Sequence, residues 1–118
     1  MTEPAFDIAF LGHYTKDTII YPHLTRTVDG GAYFFGANVA ARMGLRVAVV
    51  TRLAREDWGA VEKLERLGVT LLACATPSST LLRLIYPTDN LDERTIELTS
   101  SAGPFSVQAG LAAIAGII

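Results

Sequence analysis

The sequence predicts one α/β domain, with a parallel sheet, helices packed on it and a β-hairpin that projects from it. Short apolar runs alternate with two amphipathic helical segments, an order typical of βα units. Two further strand-like runs around a polar turn then interrupt this order, as a hairpin does. With 118 residues, half of them hydrophobic, the chain suits a single small globular domain.

Three apolar runs are predicted to form buried strands of the parallel sheet. They cover residues 5–11 (AFDIAFL), 46–53 (RVAVVTRL) and 69–75. Each is short and rich in aliphatic or β-branched residues, which is typical of strands covered on both faces. Cys74 falls inside the third run, so we expect it to be a small buried hydrophobic residue.

Two segments between these strands show helical spacing. Residues 32–43 carry Phe35, Val39 and Met43 four positions apart, with small residues beside them, and Gly44 follows as a stop signal. We expect this stripe to lie against the sheet. Residues 56–67 form the second predicted helix. Its apolar residues recur every three positions and a glycine ends it: Trp58, Val61, Leu64, Leu67 and Gly68.

The remaining strand-like runs are predicted to form a small secondary sheet. Residues 18–21 (TIIY), with residues 26–28 as a return strand, precede a turn signal at Asp29, Gly30 and Gly31. Residues 80–86 and 94–99 flank the polar turn PTDNLDE, as in a hairpin. A hairpin cannot serve as a crossover helix, so it should project from the main sheet and pair with the early strands.

Composition excludes several function classes. The formal net charge is -2, without a basic block for nucleic acid or an anionic membrane. The single cysteine cannot form an internal disulfide, and no Cys/His spacing indicates a metal. No signal peptide or membrane-length apolar run is evident, so we expect a cytoplasmic protein. The first strand lacks the GxGxxG motif of Rossmann nucleotide binders.

The last residues are unusual. Residues 106–118 are apolar to the end, whereas C-termini are usually solvated. We expect a chain cut just before or within its next strand; the alternative is a C-terminal helix docked on the sheet.

The order of these motifs resembles the N-terminal part of the ribokinase-like, or PfkB-type, carbohydrate kinase family. Four features carry the resemblance: GHYTKD after the first strand, the double glycine before a helix ending in ARMG, RVAVVTRLAREDWG before a helix ending in LGV, and the two strand pairs TIIY and SSTLLRLIY…RTIELTS. They extend to about Phe105. The pattern looks most like the branch that contains inositol kinases. The resemblance implies a partial ribokinase-like (Rossmann-like) parallel sheet with flanking helices and a β-hairpin lid.

The resemblance also implies substrate-binding residues. Asp17 stands where the family has an acidic residue that binds sugar hydroxyls, and Gly30 and Gly31 match the double glycine that lets backbone approach the substrate. Taken without the resemblance, Asp17 could be a solvated residue at a strand start or turn, and the glycines a tight turn. Phe35 occupies the place of an asparagine that touches sugar in ribokinase, so the preferred ligand should differ; Phe35 could equally be a core residue. Asn38 lies about one helical turn further on and should not substitute.

The resemblance finally implies a kinase that is incomplete here. Residues 1–118 would supply the substrate-binding and lid part, truncated before the nucleotide-binding half and the GAGD-type motif with the catalytic base. The full-length parent would use ATP and Mg²⁺ to phosphorylate a sugar, cyclic polyol or nucleoside; neither should bind this part fully, and alone it should be inactive. We expect a homodimer through the lid strands or the exposed sheet edge. The alternative is a non-catalytic binding or dimerisation module.

Overall fold

The computed structural model describes residues 5–108 together with Leu111 and Ala115. A short 3-10 turn at Arg55–Asp57 precedes the second helix. The strands and helices follow in this order: β1 (Ile8–Leu11), β2 (Thr15–Ile20), β3 (Thr25–Gly30), α1 (Ala32–Arg42), β4 (Val47–Ala54), α2 (Gly59–Glu65), β5 (Thr70–Thr76), β6 (Thr80–Ile85) and β7 (Thr95–Ser100). Within these residues no helix is long and apolar enough to cross a membrane.

The predicted α/β sheet is confirmed. β1, β4 and β5 form a parallel sheet in the order β1-β4-β5, with both helices packed against it; we call this part the body. β4 is central, and its apolar residues form the middle of the core together with residues from α1 and α2. The largest completely buried side chains are Tyr14, Leu53, Leu64, Val47, Val49, Val50 and Val61.

The predicted secondary sheet is also confirmed. Four strands form a separate sheet in the order β3-β2-β6-β7, which we call the lid sheet. β2 runs antiparallel to β3 but parallel to β6, so the two hairpins meet along their inner strands. The turn expected at residues 29–31 is placed differently. Asp29 and Gly30 still belong to β3, and the chain turns only at Gly31, where φ is +104°.

The prediction for the buried face of α1 is wrong. Phe35, Val39 and Met43 are 60%, 59% and 71% exposed. The helix instead packs through the face that carries Tyr33, Ala37 and Ala40. Side chains four apart line up on any helix face, so spacing alone does not say which face is covered. The small residues decide it, because they let the helix backbone approach the sheet closely.

Cys74 is exposed rather than buried. β5 is the outer strand of the described sheet, and its side chains alternate between the two faces. Leu71 and Ala73 pack on the helix-covered face, whereas Cys74 points to the other face. An apolar run such as VTLLACA indicates burial on both faces, but in β5 Thr70, Cys74 and Ala75 are exposed.

The second helix starts later than predicted, because the 3-10 turn occupies residues 55–57 and α2 begins at Gly59. Its core residues Val61 and Leu64 are buried as expected, and Gly68 follows with φ +88°. The apolar run at residues 106–118 lies largely outside the described residues, so the expectation of a further strand or a docked helix stays a prediction.

Candidate functional site

The candidate site lies where the carboxyl ends of the body strands meet the base of the lid sheet. The amide of Gly12, just after β1, donates to the carbonyl of Val50 (3.1 Å), and the amide of Tyr14 donates to the Thr51 hydroxyl (2.9 Å). Tyr14 is 1% exposed, so the link between β1 and β2 is anchored in the core. In open α/β sheets, ligands bind at this end of the strands.

Asp17 on β2 lies against Gly30 at the end of β3. A Cβ built on Gly30 would overlap the Oδ2 atom of Asp17 and come within 2.9 Å of the Thr15 hydroxyl. The other carboxylate oxygen, Oδ1, is buried and has no hydrogen-bond partner among the described residues. A buried oxygen without a partner is costly for the fold. This oxygen is therefore suited to accept a hydrogen bond from a ligand.

Gly31 serves a different purpose from Gly30. Its φ of +104° is readily adopted only by glycine, and a Cβ there would lie 2.5 Å from the carbonyl oxygen of His13. Gly31 is also the N-cap of α1, which has no side-chain cap. The two glycines thus allow two separate close approaches, one by the Asp17 carboxylate and one by the backbone that joins β1 to β2.

The predicted site residues are brought together only in part. Asp17, Gly30 and Gly31 are neighbours, whereas Phe35 lies one turn into α1 on its exposed side. The Phe35 ring meets the ring of Phe34 edge-on, with centroids 5.8 Å apart. The Asn38 amide donates to the carbonyl of Phe34 (2.7 Å). That Asn38 does not replace the missing sugar-binding amide stays a prediction.

Sequence reasoning missed a segment that crosses the end of the parallel sheet. His13 Nε2 donates to the carbonyl of Gly103 (2.5 Å), and its ring lies 4.5 Å from that of Phe105. Arg52 on β4 donates to the neighbouring carbonyl of Ala102 (3.0 Å). In the sequence, His13 lies in GHYTKD and Gly103 follows the run RTIELTS, and neither pattern indicates that the two segments meet.

Two buried tyrosines, Tyr14 and Tyr33, lie near the turn at Gly31. The hydroxyl of Tyr14 donates to Asp29 Oδ1 (2.6 Å). Burial, followed by this carboxylate, raises the pKa of Tyr14, so the group stays protonated and remains a donor. The Tyr33 side chain packs beside Gly31, and burial raises its pKa as well.

A charged cluster lies on the opposite face of the lid sheet. Lys16 Nζ contacts Asp57 Oδ1 (2.9 Å), and Lys63 Nζ contacts Asp29 Oδ2 (3.1 Å). The hydrogen bond from Lys16 to Asp57 raises the pKa of Lys16. Burial alone would raise the pKa of Asp29, but hydrogen bonds from Tyr14 and Lys63 outweigh it and lower that pKa.

The main clefts along the described residues are not lined by Asp17. A cavity of about 370 Å³ lies at the lid tip beside Tyr21, and a cavity of about 390 Å³ lies between Lys16 and α2. Asp17 is partly buried on the lid sheet. The chemistry still singles it out, because its Oδ1 is a buried carboxylate oxygen without a partner among the described residues, as the Tyr33 hydroxyl is a buried hydroxyl without one. No group of three or more His, Cys, Asp or Glu among the described residues could hold a metal ion.

No protein-family model and no curated protein matches the sequence. Solved structures do match. A pyrophosphate-dependent kinase in the ribokinase family, solved as a sulfate complex, is 27% identical with a TM-score of 0.77; the match covers 87% of this chain and 36% of that chain. A structure of a pyrophosphate-dependent kinase in that family, complexed with a pyrophosphate analog and myo-inositol, is 25% identical with a TM-score of 0.74. This match covers 87% of this chain and 35% of that chain.

A ribokinase from Cryptococcus neoformans var. grubii serotype A, in complex with ADP, shares the fold at 20% identity. Its TM-score is 0.66, and the match covers 80% of this chain and 33% of that chain. This chain therefore spans about a third of the length of the structures it matches. The resemblance and the fold class implied by the sequence motifs are confirmed.

Proposed function

We propose that this chain is the substrate-binding and lid part of a ribokinase-family kinase. It has the fold of those kinases and resembles the inositol kinases among them. The full protein would transfer a phosphoryl group to a hydroxyl of a cyclic polyol, sugar or nucleoside. Residues 1–118 would form the N-terminal part, inactive without the portion that carries the base and the donor site. Phosphoryl transfer requires both halves, because it depends on positioning and charge stabilisation.

The unpartnered Oδ1 of Asp17 carries this proposal. A carboxylate has no proton to donate at neutral pH, so it suits the hydroxyl groups of a polyol, which can donate to it. Gly30 leaves room for the carboxylate, and Gly31 lets the chain turn at the start of α1. Phe35, as an exposed ring near that helix start, is proposed as an apolar neighbour of the ligand.

The phosphate donor has two candidates. ATP with Mg²⁺ follows from the general resemblance to carbohydrate kinases, and the ribokinase match was solved with ADP. Pyrophosphate is favoured by three matches of 25–27% identity, each of which concerns a pyrophosphate-dependent kinase. Either donor would bind mainly outside these residues. We propose a cytoplasmic setting for the full protein.

Titration calorimetry with myo-inositol and ribose tests the binding role. Asp17→Ala should abolish polyol binding while the domain stays folded, because the orphaned oxygen does not stabilise the fold. Asp92→Ala, an acidic residue in the lid turn, is the matched control and should bind as the wild type does. Equal affinity of Asp17→Ala and wild type would refute the assignment of Asp17. A chain that binds no polyol or sugar would refute the proposed function.

An alternative is a non-catalytic module that self-associates through the lid. Ile96 and Leu98 on the outer strand β7 are 53% and 64% exposed, which favours a contact with a second copy. We propose a homodimer through these lid strands. Analytical ultracentrifugation of wild type and Leu98→Lys should show a dimer and a monomer respectively; a wild-type monomer would remove the dimer and weaken the module alternative.

A further inference from the structure

Two ion pairs join the lid sheet to the body, on the face opposite to Asp17. Lys16 on β2 binds Asp57 in the 3-10 turn, and Asp29 on β3 binds Lys63 on α2. Lys16 and Asp29 are also direct partners across the β2–β3 pair. The four residues therefore form a row of alternating charge, Asp57–Lys16–Asp29–Lys63, which we call the latch.

Asp57 is the buried member of the latch, with a side chain that is 5% exposed. Its second oxygen, Oδ2, accepts a hydrogen bond from the Ser79 hydroxyl (2.6 Å). The same hydroxyl accepts from the amide of Ala54 at the end of β4 (2.8 Å). Ser79 directly precedes β6, so one carboxylate holds β2 and the start of β6 against the end of β4. A buried carboxylate that loses such partners is strongly unfavourable.

The latch is connected to the candidate site through adjacent residues. Successive side chains of a strand point to opposite faces, so Lys16 faces the body and Asp17 lies on the other face of the lid sheet. On β3, Asp29 directly precedes Gly30, against which the Asp17 carboxylate lies. Any shift of β2 and β3 relative to the body therefore moves Asp17 relative to Gly31 and the start of α1.

We infer that the latch is a positioning device: it sets the orientation of the lid sheet on the body, and Asp57 acts through Lys16 to place Asp17. The effect on ligand binding rests on the proposed function, whereas the effect on lid orientation does not. The ion pair between Asp7 and Arg46 (2.9 Å) offers a comparison, because it joins two segments of the body only.

The lid orientation can be measured without a ligand. Cys74, the single cysteine, is exposed on β5 of the body and can carry one spin label. A second label goes on Asp92→Cys in the turn between β6 and β7. Pulsed electron paramagnetic resonance should give a narrow distance distribution for this protein and for the control Asp7→Asn. Asp57→Asn should broaden or shift the distribution. An unchanged distribution in a folded Asp57→Asn variant overturns the inference.

Lys16→Met is the second variant, in case Asp57→Asn does not fold. Lys16 is partly exposed, so its removal is the milder way to break the same pair. Calorimetry with myo-inositol then tests the link to Asp17. We expect about tenfold weaker binding for either single variant, a difference of about 1.4 kcal/mol, and no further loss in the double variant.

The outcomes separate the two proposals. Broadened distances with weakened myo-inositol binding support the latch as a positioning device. Broadened distances with unchanged affinity overturn the role of Asp57 in placing Asp17. If the unaltered chain binds neither myo-inositol nor ribose, the proposed function fails, and the distance measurement alone still decides whether the latch holds the lid.

Discussion

The Asp17 carboxylate occupies the space where a side chain on Gly30 would lie, because a Cβ on Gly30 would overlap the carboxylate oxygen Oδ2. The two residues lie on neighbouring strands of the lid sheet, β3 and β2, and the other carboxylate oxygen, Oδ1, is buried without a hydrogen-bond partner among the described residues. The first glycine of the GG pair thus acts through the carboxylate beside it rather than through its own backbone angles.

Gly30→Ala should therefore weaken polyol binding by displacing the Asp17 carboxylate. Gly30 has no positive φ, so the backbone can accept alanine without strain. We expect a folded variant with an affinity for myo-inositol reduced toward that of Asp17→Ala, measured by calorimetry. Gly59→Ala is the control, because a Cβ on Gly59 meets nothing within 4 Å. Undiminished binding by Gly30→Ala would contradict this account of the pair.

Gly31→Ala should act on stability instead. The φ of +104° is strained for alanine, and the new Cβ would lie 2.5 Å from the His13 carbonyl. Strain of this kind costs about 1–3 kcal/mol, and the backbone contact adds to it. Denaturant unfolding should show a clear fall in the free energy of unfolding. Gly44→Ala, at φ +84° with open space around it, should cost less; equal losses would show that the His13 contact is unimportant.

Asp29 should make the free energy of unfolding decrease at acidic pH. Its pKa lies below the ordinary value of 3.8, because hydrogen bonds from Tyr14 and Lys63 outweigh burial. A carboxyl group with a lowered pKa in the folded state adds stability above its unfolded pKa, and this is lost as pH falls through the folded pKa. Asp29→Asn should lower the free energy of unfolding at pH 7 and flatten its decline below roughly pH 4. Parallel curves for the two proteins would contradict the prediction.

The buried face of α1 can be tested by a pair of substitutions. Ala37 is completely buried, so Ala37→Leu should overpack the interface with the sheet and cost about 1–3 kcal/mol. Val39 is largely exposed, so Val39→Ala should change stability by no more than about 0.5 kcal/mol. Thermal and denaturant unfolding measure both. A large loss for Val39→Ala with tolerance at Ala37 would support the face predicted from spacing.

Local patterns were sufficient to predict most elements of the fold. Strand and helix periodicity, turn residues and glycine stops depend on neighbours within a few positions, so the sequence predicted the parallel strands, both helices and the joint sheet of the two hairpins. The candidate site was predicted only by resemblance. Its residues Asp17, Gly30 and Gly31 prove to be neighbours, but no local pattern contained the contact between them.

Local sequence patterns specify the order and type of elements, the strands that build the lid sheet and the glycines that end the helices. Tertiary packing establishes which face of α1 is buried, that Cys74 is exposed, that His13 meets Gly103, and that Lys16 pairs with Asp57. Backbone conformation follows from nearby residues, whereas burial and pairing depend on which distant segment covers a side chain, and that is settled when the sheet, helices and lid pack together.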